Sequence, residues 1–235
     1  MPIKTIFFDL DGTLLPMDQE AFVKIYTKGL AAHMAPYGYD PTALVQSLWQ
    51  GTGAMVKNDG SRTNEEVFWE VFSAGVGRDV RADESTFAVF YDTGFHKARE
   101  ACGFAPETAG VVKDLKTRGC RVVLATNPLF PHMATENRIR WAGLEPEDFD
   151  YYTTYENSSF CKPNLAYYQE ILDKLGCKAE ECAMIGNDVD EDMVAGKLGF
   201  KTFLLTPCLL NRSGQDIAQW PHGGFEELKA WLETL

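Results

Sequence analysis

The chain has 235 residues, 45% of them hydrophobic and 24% charged, a composition that suits a folded globular protein with a sizeable core. Its 34 acidic residues against 22 basic ones leave a net charge of −12, which argues against nucleic acid or an anionic membrane as a partner. No run approaches the roughly 18 apolar residues of a membrane span, and the short apolar start leads straight into acids, unlike a signal peptide.

The apolar run over 3–8 predicts a strand that ends in Asp9-Leu10-Asp11-Gly12-Thr13-Leu14. Side chains at i and i+2 of an extended chain share a side, so Asp9 and Asp11 face one site unless the chain turns at Gly12. Two carboxylates that close repel each other, which suggests a bound cation or a shared proton.

About ninety residues of helical pattern follow. Pairs such as Ala21-Phe22, Ile25-Tyr26 and Gly29-Leu30 recur at helical spacing, as do Val67-Phe68 and Val71-Phe72, then Phe87, Phe90-Tyr91 and Phe95. A structureless loop of this length is improbable. The expectation is an all-helical domain, 17–104, inserted into a frame made of 1–16 and 105–235, with borders near Leu15–Asp18 and Gly103–Pro106. The aromatic stripes read as its core. The Gly- and polar-rich stretch Gln50–Thr63 is expected as a loop between helices, in which Lys57 or Arg62 is placed to meet an anionic group or simply solvated.

From there strands alternate with helices. Helices are expected at 107–118, 131–142, 164–175, 189–198 and 224–234, and strands at 121–126, 150–155, 182–186 and 201–206. Gly119, Gly143, Gly176 and Gly199 each close a helical stretch, where a C-terminal stop belongs. The pattern predicts an α/β fold, a Rossmann-like, doubly wound parallel sheet covered on both faces.

In such a sheet the C-terminal strand ends line one crevice. Thr126 and Asn127 follow the second strand, with a hydroxyl and turn amides suited to phosphate oxygens. Lys162 follows the third, ahead of a helix that Pro163 is expected to start, a combination suited to an anion. The fourth runs into Gly186-Asn187-Asp188-Val189-Asp190-Glu191-Asp192, where four acids in five residues need a counter-charge. His132 opens the helix after Thr126 and is expected at the rim. Carboxylates gather a hard cation, and lysine, hydroxyl and amides gather an anion. That is equipment for phosphoryl transfer with Mg²⁺.

Six cysteines form no Cys-x-x-Cys pair and match no zinc spacing, so they read as reduced, mostly buried thiols of a cytoplasmic protein. Cys161 stands apart because the ammonium of Lys162 beside it would lower its thiol pKa, although a small residue ahead of the motif lysine is the favoured reading.

With these residues in hand, the chain resembles the haloacid dehalogenase-like (HAD) superfamily over its whole length. Four motifs stand in order: DLDGTL at 9–14, Thr126 after an apolar strand, Lys162 before Pro163, and GNDVDED at 186–192. The helical insert after the first motif resembles the cap of the phosphoglycolate-phosphatase-like branch. The resemblance implies a Rossmann-like sheet with the first strand central. It also implies roles: Asp9 as nucleophile, Asp11 as general acid–base, Thr126 and Asn127 on the phosphoryl oxygens, and Lys162 as charge neutraliser. Mg²⁺ would lie on Asp9, the Asp11 carbonyl and Asp188, with Asp192 acting through water or by orienting Lys162. Asp190 and Glu191 match no key position and read as surface acids. Asn187 stands between Gly and Asp where many relatives have Gly-Asp, and Asn164 replaces a frequent Asp.

The implied function is a Mg²⁺-dependent phosphatase acting on a small phosphorylated metabolite, as a monomer or homodimer. Asp11 sets it apart from the dehalogenases, which lack an acid there. A phosphosugar mutase and a non-catalytic metal- or phosphate-binding protein are the alternatives. A phosphonate hydrolase would need a Schiff-base lysine in the insert, and nothing singles out Lys24, Lys28 or Lys57.

Overall fold

The computed structural model describes residues 2–235. Six parallel strands form one sheet in the order β3-β2-β1-β4-β5-β6. They are β1 (Thr5–Phe8), β2 (Arg121–Leu124), β3 (Tyr151–Tyr152), β4 (Cys182–Gly186), β5 (Lys201–Leu205) and β6 (His222–Gly223). β1 is central, with Phe8 opposite Leu124 on one side and Ile185 on the other. β6 is only two residues long and carries no strand pattern of its own; it pairs with Leu204 and Leu205.

The sheet buries both faces, and its side chains divide with the period of two that a strand imposes. Ile6, Phe8, Val122, Leu124, Ala183 and Ile185 join the larger core, with α5 (Glu107–Thr117) and α8 (Phe225–Leu232). Phe7, Val123, Cys182 and Met184 pack instead on Tyr167, Tyr168, Ile171 and Leu172 of α7 (Leu165–Leu175). α6 (His132–Trp141) follows β2. The helix expected at 189–198 differs: the chain turns at 188–192 and winds only as a 3₁₀ helix over Met193–Leu198. The turn is held by Asp188 Oδ1, which accepts the N–H groups of Asp190 and Glu191. α7 starts after Pro163, because the Asn164 side chain caps it by accepting the Ala166 N–H.

Between β1 and α5 run α1 (Gln19–Met34), α2 (Pro41–Val56), α3 (Asn64–Val76), α4 (Glu84–Asp92) and a 3₁₀ segment over Gly94–Ala101. Asp18 caps α1 and Asp40 caps α2. Their aromatic stripes, including Phe22, Tyr26, Phe68, Phe72, Phe87, Phe90 and Phe95, are buried. The stretch 50–63 is not a loop throughout. α2 continues to Val56 because Gly51 packs directly under the Phe68 ring, so only 57–63 connects α2 to α3. The two strands of chain entering and leaving this helical part lie side by side, with Gly103 N–H on Pro16 O (2.7 Å) and Asp18 N–H on Ala101 O (3.0 Å).

Candidate active site

A cavity opens at the C-terminal ends of the central strands. Asp9, Asp11, Thr126, Asn127, Asp188 and Asp192 all line it. The chain does turn at Gly12, whose φ of +90° suits glycine, yet both Asp9 and Asp11 still reach the cavity. A Cβ on Gly12 would meet Asn187 Nδ2 at 2.3 Å, so the first and fourth motifs interlock there.

Lys162 binds the motifs together. Its buried ammonium donates to Asp9 Oδ1 (2.9 Å) and to Asp192 Oδ1 (2.6 Å). Burial alone would lower its pKa, but the Asp192 and Asp9 carboxylates outweigh that and hold it well above the usual lysine range. Burial in turn pushes the Asp192 carboxyl up, against the pull of Lys162. Asp192 Oδ2 accepts the Asp188 N–H at 3.0 Å. Its carboxylate packs against Gly186, where a Cβ would come within 2.0 Å of Oδ2.

The second carboxylate of the first motif has a different partner. Arg138, buried on α6, donates from Nη1 to Asp11 Oδ2. The same guanidinium reaches Ala134 O (3.2 Å) and Thr135 Oγ1 (3.3 Å), and its Cζ lies 4.6 Å from the centre of the Phe130 ring. Asp11 Oδ1 is buried and has no hydrogen-bond partner among the described residues. Burial raises the Asp11 carboxyl above its usual range; Arg138 opposes the rise and Asp9 adds to it.

The remaining groups complete the cavity. Thr13 Oγ1 donates to Asn187 Oδ1 (2.9 Å) and lies 3.2 Å from Asp9 Oδ2. Asn127 Oδ1 accepts the Lys162 N–H (3.3 Å), and its Nδ2 donates to Glu191 Oε2 (3.1 Å). The Thr126 carbonyl accepts from the Thr153 and Tyr167 hydroxyls, which fixes the end of β2 at the cavity. Arg212, from the segment after β5, donates to Asp188 Oδ2 at 2.6 Å.

Several expectations need correcting. Glu191 is not a surface acid: it lines the cavity, and burial raises its carboxyl pKa. Asp190 does lie outside, tying Ser213 and Gln215 to the turn. Of the residues named for the metal, Asp9, Asp11, Asp188 and Asp192 all line the cavity, although their side chains are engaged by other groups. Among the described residues no three Asp, Glu, His or Cys side chains gather around one point. Asp192 spends both oxygens on Lys162 and a backbone N–H, and Asp11 spends one on Arg138. His132 faces Glu156 on the exterior (2.9 Å), and Arg62 pairs with Glu70 there. Lys57 is exposed. Only Cys161 and Cys182 are fully buried, while the other four thiols are half-buried. The Cys161 pKa is pushed up to about 12 by burial, because the Lys162 ammonium points away from it toward Asp9 and Asp192.

Sequence reasoning missed Arg138 and Arg212. Arg138 carried a signal: it shares the apolar face of α6 with Ala134, Thr135 and Trp141, where a charge must find a partner. Arg212 carried none.

The haloacid dehalogenase-like hydrolase family model matches residues 3–199. The chain belongs to this family. This HAD-like hydrolase is 25% identical over 220 residues to a glyceraldehyde 3-phosphate phosphatase of Methanothermobacter thermautotrophicus, covering 91% of this chain and 90% of that one. It is 26% identical to a phosphoglycolate phosphatase of Aliivibrio fischeri, over 87% of this chain and 84% of the relative. These similarities place it in the phosphoglycolate-phosphatase-like branch. A solved HAD phosphatase from Thermococcus onnurineus shares the fold, with a TM-score of 0.58, 17% identity and 98% coverage of both chains. No helix among the described residues is long and apolar enough to cross a membrane.

Proposed function

We propose that this HAD-like hydrolase is a Mg²⁺-dependent phosphatase that cleaves a small phosphate monoester through an aspartyl-phosphate on Asp9. The observation that carries the reading is the single cavity in which Asp9, Asp11, Thr126, Asn127 and Asp188 meet, with the Lys162 ammonium 2.9 Å from Asp9. Two curated relatives named as phosphatases of small esters support it.

In the first half-reaction an oxygen of Asp9 attacks phosphorus and the ester P–O bond breaks. The leaving oxygen takes the proton of Asp11 as general acid. In the second, Asp11 takes a proton from water as that water attacks phosphorus, which frees phosphate and restores the Asp9 carboxylate. Thr126 and Asn127 hold the phosphoryl oxygens. Lys162 offsets the charge of nucleophile and phosphoryl group, and Asp192 orients Lys162.

The residues present fit Mg²⁺. The ion takes one or two carboxylates and keeps several waters, and the carboxylates of Asp9 and Asp188 line the same cavity. Asp9 and Asp188, with the Asp11 carbonyl, would hold the ion. When bound it neutralises charge on the phosphoryl oxygens.

Residues 17–104 act in this reading as a cap over a core of 1–16 and 105–235, hinged where Pro16 and Asp18 pair with Gly103 and Ala101. Closing it would exclude water from the reaction. The test is phosphate release from a panel of small esters, with Mg²⁺ and with chelator. Metal-dependent release is expected, with phosphate and free alcohol as the only products. No release by folded protein overturns the reading.

A further inference from the structure

A second cavity of about 150 Å³ lies between the helical part and the catalytic cavity, and the two share Val23, Leu129 and Phe130 as lining. An apolar cavity of about that size accommodates a benzene ring. Its walls are aromatic and aliphatic: Tyr26 of α1, Leu48 of α2, and Trp69 and Phe72 of α3 are all buried against it. Trp49, 49% exposed, stands among the lining residues as an uncovered large apolar side chain.

Charge is missing from this pocket. Among the described residues no Asp, Glu, Lys, Arg or His lines it. Its hydroxyls are neutral, since burial pushes the Tyr26 phenol up to about 12 and raises that of Tyr155 further. The polar groups in its walls are neutral ones: the Trp69 indole N–H, whose polar neighbour is Tyr155, the Thr52 hydroxyl and the phenols of Tyr26, Tyr91 and Tyr155. A second carboxylate or phosphate placed here would lose its water and gain no counter-charge.

We infer that the pocket takes the alcohol part of the substrate, and that this part is an aromatic or compact apolar group with at most a neutral oxygen, rather than a small anionic acid. The inference rests on the phosphatase reading for the reaction, but the pocket itself is observed independently of it. With the phosphoryl group on Asp9, such a group would pass Phe130 to reach Trp69. Phe130 is fixed there by its contacts with Tyr26 (5.3 Å between ring centres) and with the Arg138 guanidinium.

The test compares benzyl phosphate with ethyl phosphate and phosphoglycolate, all three with primary alkyl leaving groups. Burial of the ring predicts kcat/KM for benzyl phosphate on the order of 10- to 100-fold above ethyl phosphate. Thr52→Phe, which fills the pocket from α2, should bring the ratio of benzyl to ethyl phosphate toward one. Equal kcat/KM for the two esters in the unaltered enzyme, or a preference for phosphoglycolate, overturns the inference. Benzyl alcohol is the second probe, read by the fluorescence of Trp49 and Trp69 and needing no turnover. Saturable binding that Thr52→Phe weakens supports the pocket even if no ester is cleaved, and non-saturable binding overturns it.

Discussion

Arg138 Nη1 donates to Asp11 Oδ2, so a guanidinium buried on α6 holds the second acid of the β1 motif. The contact joins residues 127 positions apart and places a cation beside the proposed general acid. Arg138 also reaches Ala134 O and Thr135 Oγ1, which fixes the orientation of its fork toward Asp11. Lysine keeps the charge but cannot keep this geometry. Arg138→Lys is expected to lower kcat by about 10²-fold, the scale on which a misplaced catalytic group costs rate, with a smaller effect on KM. Steady-state kinetics on one ester checks this, and an unchanged kcat would remove Arg138 from the positioning of Asp11.

The two acids of the first motif should be separable by leaving group. Asp9→Asn is expected to abolish turnover while the fold persists, since Lys162 keeps Asp192 as its counter-charge and the buried acid cluster loses one repulsive charge. Asp11→Asn is expected to cost about 10²–10⁴-fold, the usual range for general acid–base catalysis. The loss should be greater for an alkyl phosphate than for p-nitrophenyl phosphate, whose leaving group needs little protonation. Equal losses on the two esters would take the acid role from Asp11.

Lys162 is a structural cation as well. Its removal leaves Asp9 and Asp192 buried without their counter-charge. Lys162→Met is expected to destabilise the fold by about 3–5 kcal/mol, the range for breaking a buried ion pair from one side. Urea unfolding measures it, and a loss within the noise would mean that the pair is solvated in solution.

Gly186→Ala probes the close approach at the end of β4. A Cβ there would stand 2.0 Å from Asp192 Oδ2, so Asp192 must move and Lys162 with it. The expected cost is about 1–3 kcal/mol for overpacking, with a loss of kcat on top. Full activity with unchanged stability would show that the strand end yields freely.

Cys161 should be inert. With its pKa pushed up to about 12, the thiol is protonated at the pH of the labelling experiment. Its Sγ also lies 3.4 Å from both Asn64 Nδ2 and Met55 O. Alkylation at pH 8 followed by peptide mapping should modify the half-buried thiols, such as Cys208, before Cys161. Preferential labelling of Cys161 would contradict this account.

How far the sequence reached depended on the range of the interactions. The strand over 182–186 and the helices near 107–118, 131–142 and 164–175 were legible because period-two and period-3.6 patterns are local. The helix drawn at 189–198 misjudged its start, because Asp188 uses its side chain to hold a turn that competes with helix. The loop drawn across 50–63 came from its glycines, yet Gly51 serves a close contact with Phe68 inside α2.

The sequence by itself determined the parallel α/β frame, the helical segment within it and the acids and lysine at the strand ends. Short-range periodicity and the ordering of strand ends in such a sheet need no knowledge of distant contacts. Only the tertiary structure decided which partner each charge meets: Asp11 with Arg138, Asp188 with Arg212, Asn127 with Glu191. The aromatic pocket against Phe130 was decided the same way, since it is walled by α1, α2, α3 and the segment after β2. A buried charge takes whichever opposite group the folded chain brings within hydrogen-bond reach, and that distance exists only once the helices have packed on the sheet.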